Sequence, residues 1–221
     1  MKRMVHRRRL GWLGLVAMLV SAAFASIGAS ASEAPAATVS EAGDVAVIRV
    51  DRTIETGLQR FLERALDEAE ASGAETVVLA IDTLGGRVDA ASEIGEAVRS
   101  SPLRTIAYVE GKAISAGSYI ALNADEIYMQ DGATIGSAAV VDGSGTRVTD
   151  SKIVSFWVGQ MVAAAERNGR NPDIARGMVD DTAKVELPGL GRTTEPGELI
   201  ALSAKEAVAV GYAEGIEPSL D

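Results

Sequence analysis

Cysteine is absent from this 221-residue chain, which excludes disulfides, thiolate metal centres and a cysteine nucleophile. Histidine is nearly absent: the single residue is His6, inside a basic N-terminal stretch. A Ser-His-Asp triad is thereby excluded, and neither a metal nor a cofactor is expected. Aromatic residues make up only 4% of the chain, so the core must be built from aliphatic side chains. Positive charge is scarce as well. The 21 Lys and Arg face 31 Asp and Glu, and five of those cations lie in the first nine residues, leaving 16 against 31 for the rest. Such a surface repels phosphate backbones, so nucleic acid is not expected as a partner.

Lys2, Arg3, Arg7, Arg8 and Arg9 precede an apolar run from Leu10 to about Ala25, and Ala29-Ser30-Ala31 supplies small residues. That pattern reads as a secretory signal peptide over residues 1–31, with cleavage expected before Ser32 and an uncleaved anchor as the alternative. The protein is therefore expected to be exported, on the extracytoplasmic face of a membrane or secreted. Residues 32–43, rich in Ala, Ser and Pro, read as a disordered lead-in, and residues 44–221 as one folded domain. No second apolar run of about 18 residues follows, so no further span is expected.

Within that domain Val45–Val50, Thr76–Ile81 and Thr105–Val109 are apolar runs of buried-strand character. From Thr56 to Ala71, residues Leu58, Phe61, Leu62, Ala65, Leu66 and Ala69 recur at helical spacing against a charged face, and Gly73 ends the helix. Further helices are expected over about Asp89–Ser100, Ala116–Asn123 and Ser151–Asn168, and from Pro172 onward with Asn171 as N-cap. Short strands are expected at Glu126–Met129, Thr134–Ser137 and Leu199–Leu202, a polar loop at 142–150, and a loop or hairpin at 188–196. Ser203 and Glu206 read as a capping box for a last helix, closed by Gly211. Alternation of strand and helix implies a single α/β domain with a βαβ crossover.

Two short cassettes follow consecutive strands: Asp82-Thr83-Leu84-Gly85-Gly86 and Ala113-Ile114-Ser115-Ala116-Gly117. Glycines after a strand let backbone N–H groups approach a substrate carbonyl without an intervening Cβ, as an oxyanion hole requires. Ser115 lies between a strand and a helix start, where free N–H groups favour negative charge. The same position suits an ordinary N-cap serine, and a Gly-Gly pair is often only a turn. Without histidine or thiol, a serine can be activated by a neutral lysine. Four lysines lie beyond the N-terminal segment. Lys205 reads as solvated, Lys184 as a strand or loop charge, and Lys112 as pointed elsewhere by its strand. Lys152, flanked by Ile153 and Val154 at a helix start, is the best candidate, although a solvated helix-start lysine would look the same.

These residues resemble the serine protease domain of membrane-bound NfeD-type proteins, relatives of the Clp protease and signal peptide peptidase A. The resemblance runs from Val45 to Ile216 and rests on four stretches: residues 82–87, Ser115-Ala116-Gly117-Ser118-Tyr119-Ile120-Ala121, Met129 with Gly132-Ala133-Thr134-Ile135-Gly136, and Ser151-Lys152-Ile153. It extends into Leu202–Ala207 and Gly211-Tyr212. It implies a ClpP/crotonase-like α/β fold with repeated β-β-α units, with Ser115 as nucleophile and Lys152 as general base. Gly85 or Gly86, with Ala116, would form the oxyanion hole, and Arg87 and Ser118 would be substrate-binding neighbours. The implied activity is that of an exported serine endopeptidase that cleaves apolar peptide segments, including those of a stomatin-like membrane protein, and assembles as a homo-oligomer.

Two features depart from that family. Leu84 stands where proline usually precedes the glycines, and the long form continues into membrane spans and a small β-barrel while this chain stops at Asp221. Membrane attachment is accordingly expected to rest on a partner or an uncleaved signal. A catalytically inactive scaffold that holds a peptide by strand addition is the alternative reading. Acyl-CoA chemistry on the same fold is a third, disfavoured by export.

Overall fold

The structure is a computed structural model and describes residues 38–39 and 45–220. The expected signal peptide lies outside the described residues. Of the expected lead-in, Thr38–Val39 forms a two-residue strand, β1, antiparallel to Ala46 and Val47.

The apolar runs become the centre of one mostly parallel sheet. Strands β2 (Val45–Val50), β3 (Thr76–Thr83), β4 (Arg104–Ile114) and β5 (Glu126–Met129) pair in parallel in that order. Helix α1 (Thr56–Ala71) connects β2 to β3, and α2 (Val88–Ser100) connects β3 to β4. Their periodicity explains their seats: Leu58, Leu62, Ala65, Leu66 and Ala69 are the buried face of α1, and Ala90, Ala91, Ile94 and Val98 line the buried face of α2. Truncating a fully buried member such as Leu62 would remove roughly 2–5 kcal/mol.

Strand β4 is longer than its apolar run suggests, eleven residues in all. Its first half, Ile106–Val109, pairs with β5, and its last three residues pair with β6 (Thr134–Gly136). The sheet thus forks along one strand. At the fork the register against β3 jumps from Ile81↔Val109 to Thr83↔Ala113, so Asp82 faces three residues of β4. This bulge re-aims the end of β4. Lys112 Nζ donates to Asp82 Oδ1 at 2.9 Å across it.

After β4 come α3 (Ala116–Asn123), whose residues are all buried, then α4 (Ser151–Arg167) and α5 (Pro172–Val179). The Asn171 side chain accepts the Asp173 N–H, and Pro172 occupies the first turn, as the sequence implies. Strands β7 (Glu186–Leu187) and β8 (Arg192–Thr193) form the expected hairpin around a 3-10 turn. Strand β9 (Ala201–Ser203) begins later than expected and runs antiparallel to β6. The capping box of α6 (Ala204–Ala209) is present, and β10 (Gly215–Ile216), which the sequence pattern did not indicate, adds to β5.

Arg170, three residues past α4, is buried at 3% exposure. Its guanidinium donates to the carbonyls of Ala124, Asp125 and Tyr212 at 3.2 Å and to Glu214 Oε1 at 3.3 Å. It ties the end of α3 to the last turn of the domain.

Candidate active site

The two cassettes meet. An added Cβ on Gly85 would lie 2.8 Å from the Ser115 Cβ, 2.9 Å from the Ile114 carbonyl oxygen and 3.1 Å from the Ala116 nitrogen. Gly85 itself has φ +101, which only glycine adopts readily.

Ser115 stands at the junction of β4 and α3 with φ +56 and ψ −122. A non-glycine residue in this region is strained by about 1–3 kcal/mol, and such strain concentrates at functional turns. The turn is held from both sides. The Ser115 N–H donates to the Gly136 carbonyl at 3.0 Å, and the Ser115 carbonyl accepts the Ser118 N–H at 3.0 Å and the Ser118 hydroxyl at 2.6 Å. The Ser115 hydroxyl makes no capping hydrogen bond to α3. The ordinary N-cap account of this serine therefore fails, because a capping serine takes extended backbone and accepts from the first turn. What remains is a strained strand-to-helix turn that presents a hydroxyl at a helix N-terminus.

The Gly-Gly loop is anchored to the chain following β2. Ile54 N–H donates to the Gly85 carbonyl at 3.0 Å and the Arg87 N–H donates to the Ile54 carbonyl at 2.8 Å, a parallel bridge between Ile54 and Gly86. In such a bridge the N–H of Gly86 itself points away from Ile54, toward the side where β4 delivers Ser115. A Cβ on Gly86 would fall 2.0 Å from the Ile54 carbonyl oxygen, so the bridge exists only with glycine there. The Gly85 N–H is already engaged, donating to Thr83 Oγ1 at 3.0 Å. Among the described residues the Gly86 N–H has no hydrogen-bond partner, and neither has the Ala116 N–H, first in α3 and next to Ser115.

Ser118, expected to touch substrate, is fully buried and braces the turn from beneath. Arg87 sits exposed at the start of α2 with its Nε 3.0 Å from Asp89 Oδ1. That guanidinium, followed by the Ala90 N–H, holds the Asp89 carboxyl below the usual carboxylate range. Lys112 is paired with Asp82, and Lys205 is exposed near Asp131. Lys184 is exposed in the segment before β7.

Lys152 lies in the first turn of α4, where the Asp150 side chain accepts the N–H groups of Lys152 and Ile153 at 2.9 and 3.2 Å. The Lys152 side chain is exposed, and no hydrogen bond joins it to Ser115. Helix α4 is nevertheless registered against α3. Trp157 Nε1 donates to the Ala138 carbonyl, its ring lies 4.9 Å from that of Tyr119, and the Tyr119 hydroxyl donates to Gln160 Oε1. Ile153 and Phe156, at 47% and 55% exposure, leave an apolar surface beside Lys152.

Sequence pattern assigns no site role to Ile54, Thr83 or Gly136, although the latter two lie within the stretches it singles out.

The family model described as the NfeD1b N-terminal domain matches residues 44–221. The chain is 40% identical over 176 residues to membrane protein NfeD1b of Bacillus subtilis (strain 168), which covers 80% of this chain and 39% of that protein. It is 33% identical over 120 residues to membrane-bound protease PH1510 of Pyrococcus horikoshii, covering 51% of this chain and 27% of that protein. The chain thus spans well under half the length of both curated relatives. Among solved structures it is similar to the 1510-N membrane-bound stomatin-specific protease from the same organism. A lysine-to-alanine mutant in complex with a substrate peptide gives a TM-score of 0.69 at 25% identity, covering 80% of this chain and 77% of that one. A serine-to-alanine mutant gives 0.67 at 25% identity, covering 80% and 81%.

Proposed function

This chain belongs to the family of NfeD1b N-terminal domains, and we propose that it is an exported serine endopeptidase with Ser115 as nucleophile and Lys152 as general base. The observation that carries the reading is the backbone of Ser115: φ +56 at a strand-to-helix turn, with Gly85 packed against its Cβ. Strain of that kind in a non-glycine residue is retained where the side chain's placement matters.

In the proposed reaction the Ser115 hydroxyl attacks the scissile carbonyl as its proton passes to the neutral amine of Lys152. The oxyanion is held by the N–H groups of Gly86 and Ala116 at the positive end of α3. The lysine returns the proton to the leaving amine, and a water activated by the same base hydrolyses the acyl-enzyme. A lysine acts as a base only when neutral, and desolvation favours that form. With Lys152 exposed, the desolvating surface is the bound peptide, lying over Ile153 and Phe156. Those two side chains and Leu84, 71% exposed beside the Gly-Gly pair, support an apolar peptide as substrate. A segment of a stomatin-like membrane protein fits that chemistry and the stated specificity of the similar 1510-N protease. Assembly as a homo-oligomer belongs to the same proposal.

One observation favours a second reading. Lys152 has no hydrogen bond to Ser115, as a catalytically inactive peptide-binding scaffold would allow. A serine-directed covalent probe separates the two. Labelling that disappears in Ser115→Ala, with peptide cleavage, supports the peptidase; tight peptide binding with no labelling supports the scaffold.

A further inference from the structure

Thr83 is the last residue of β3 and is buried at 3% exposure. Its hydroxyl donates to the Arg52 carbonyl at 2.8 Å and accepts the Gly85 N–H at 3.0 Å. Because the hydroxyl has one proton, and that proton goes to Arg52, its oxygen is left as an acceptor for the glycine amide. The methyl group of the same side chain occupies the space that a Cβ on Gly117 would need, at 2.7 Å. One threonine therefore touches the chain after β2, the Gly-Gly loop and the first turn of the helix that carries the nucleophile.

We infer that Thr83 is the positioning residue of the oxyanion loop. It withholds the Gly85 N–H from the substrate and thereby fixes which peptide unit faces Ser115, leaving Gly86 as the donor. The peptide unit between Leu84 and Gly85 is the one at stake. Freed from Thr83 it can rotate, since glycine at 85 permits either orientation, and the direction of the following Gly86 N–H is then no longer fixed. A donor without a fixed direction stabilises the developing charge less than one held in place beforehand. Burial makes the device effective, because no solvent molecule substitutes for the hydroxyl. This inference rests on the peptidase reading for its kinetic consequence, while its geometric content stands apart from activity.

The test uses the full chain, an internally quenched apolar peptide and two variants. Thr83→Val keeps the shape and methyl packing but lacks the hydroxyl, and Thr83→Ser keeps the hydroxyl and lacks the methyl. The inference expects kcat of Thr83→Val to fall roughly 10- to 100-fold with KM within about threefold, and Thr83→Ser to recover most of the rate. Amide exchange at Gly85, followed by NMR, should be at least about tenfold faster in Thr83→Val than in the wild type. A wild-type kcat in Thr83→Val overturns the inference while leaving the peptidase reading intact. If the wild type cleaves nothing, the peptidase reading fails, and exchange at Gly85 decides the clasp alone, with equal rates in both proteins refuting it. Should Thr83→Val not fold, rapid exchange of Gly85 in the wild type, or a kcat in Thr83→Ser as low as that of Ser115→Ala, is the refuting result.

Discussion

Gly85 and Ser115, thirty residues apart in sequence, pack so closely that a Cβ on the glycine would stand 2.8 Å from the serine's own. The contact brings the Gly-Gly loop to the strained turn and makes both residues sensitive to substitution in opposite ways.

Ser115→Gly removes the proposed nucleophile and also the strain of φ +56. Relief of about 1–3 kcal/mol, set against roughly 0.5–1 kcal/mol for glycine's greater freedom in the unfolded chain, leaves a net gain near 1 kcal/mol. Ser115→Gly should therefore be inactive yet more stable in urea unfolding. A stability below wild type would show that the turn is not strained.

Gly86→Ala should break the bridge to Ile54, because the new methyl would meet the Ile54 carbonyl oxygen at 2.0 Å. Loss of one oxyanion donor lowers kcat by about 100-fold or more. Peptide cleavage at saturating substrate checks this, and a kcat within a few-fold of wild type would remove Gly86 from the site.

Lys152 is exposed and its side chain has no partner among the described residues, so Lys152→Ala should change stability by no more than about 0.5 kcal/mol. Activity should nevertheless vanish, and Lys152→Arg should not restore it, because a guanidinium stays protonated and cannot act as a base. Full cleavage by Lys152→Ala would assign the base elsewhere.

Arg170→Met should destabilise the domain by roughly 3 kcal/mol or more, since three carbonyls lose a buried charged donor. The measurement is the denaturant midpoint, and an unchanged midpoint would mean that solvent replaces the guanidinium.

Glu206 accepts the Ser203 N–H and hydroxyl at 2.9 and 2.8 Å, bonds that hold its carboxyl below the usual range. A group whose folded pKa is depressed contributes stability above its unfolded value, about 4.3, and loses it as the pH falls through the folded value. Glu206→Gln should be less stable at neutral pH and lose less stability on acidification through that window. Parallel pH–stability curves for the two proteins would rule the capping carboxylate out.

Local pattern carried a great deal. The limits Thr56–Ala71 and Ala116–Asn123 were legible because amphipathic spacing, a closing glycine and a strand-to-helix break are properties of neighbouring residues. The Ser203–Glu206 box was legible for the same reason. Strand β4 was legible only over Thr105–Val109, because its last residues are held by β6, twenty-two positions away at Lys112↔Thr134, and its apolar run stops at the fork. Strand β10 is too short to show a period of its own and exists through its pairing with β5.

By composition alone, the chain rules out imidazole and thiol chemistry in its folded domain and narrows a serine's possible bases to four lysines. Tertiary structure decided the rest of the site. The Ser115 turn is held by the Gly136 carbonyl, the Gly-Gly loop by Ile54, and the Gly85 amide by Thr83, which is the basis for proposing Gly86 as the donor. These are hydrogen bonds of a bulged and forked sheet. The partners of the Ser115 turn and of the Gly-Gly loop follow from register between strands distant in the chain, which no local periodicity encodes, and the short Thr83–Gly85 bond forms only once that register has set the loop.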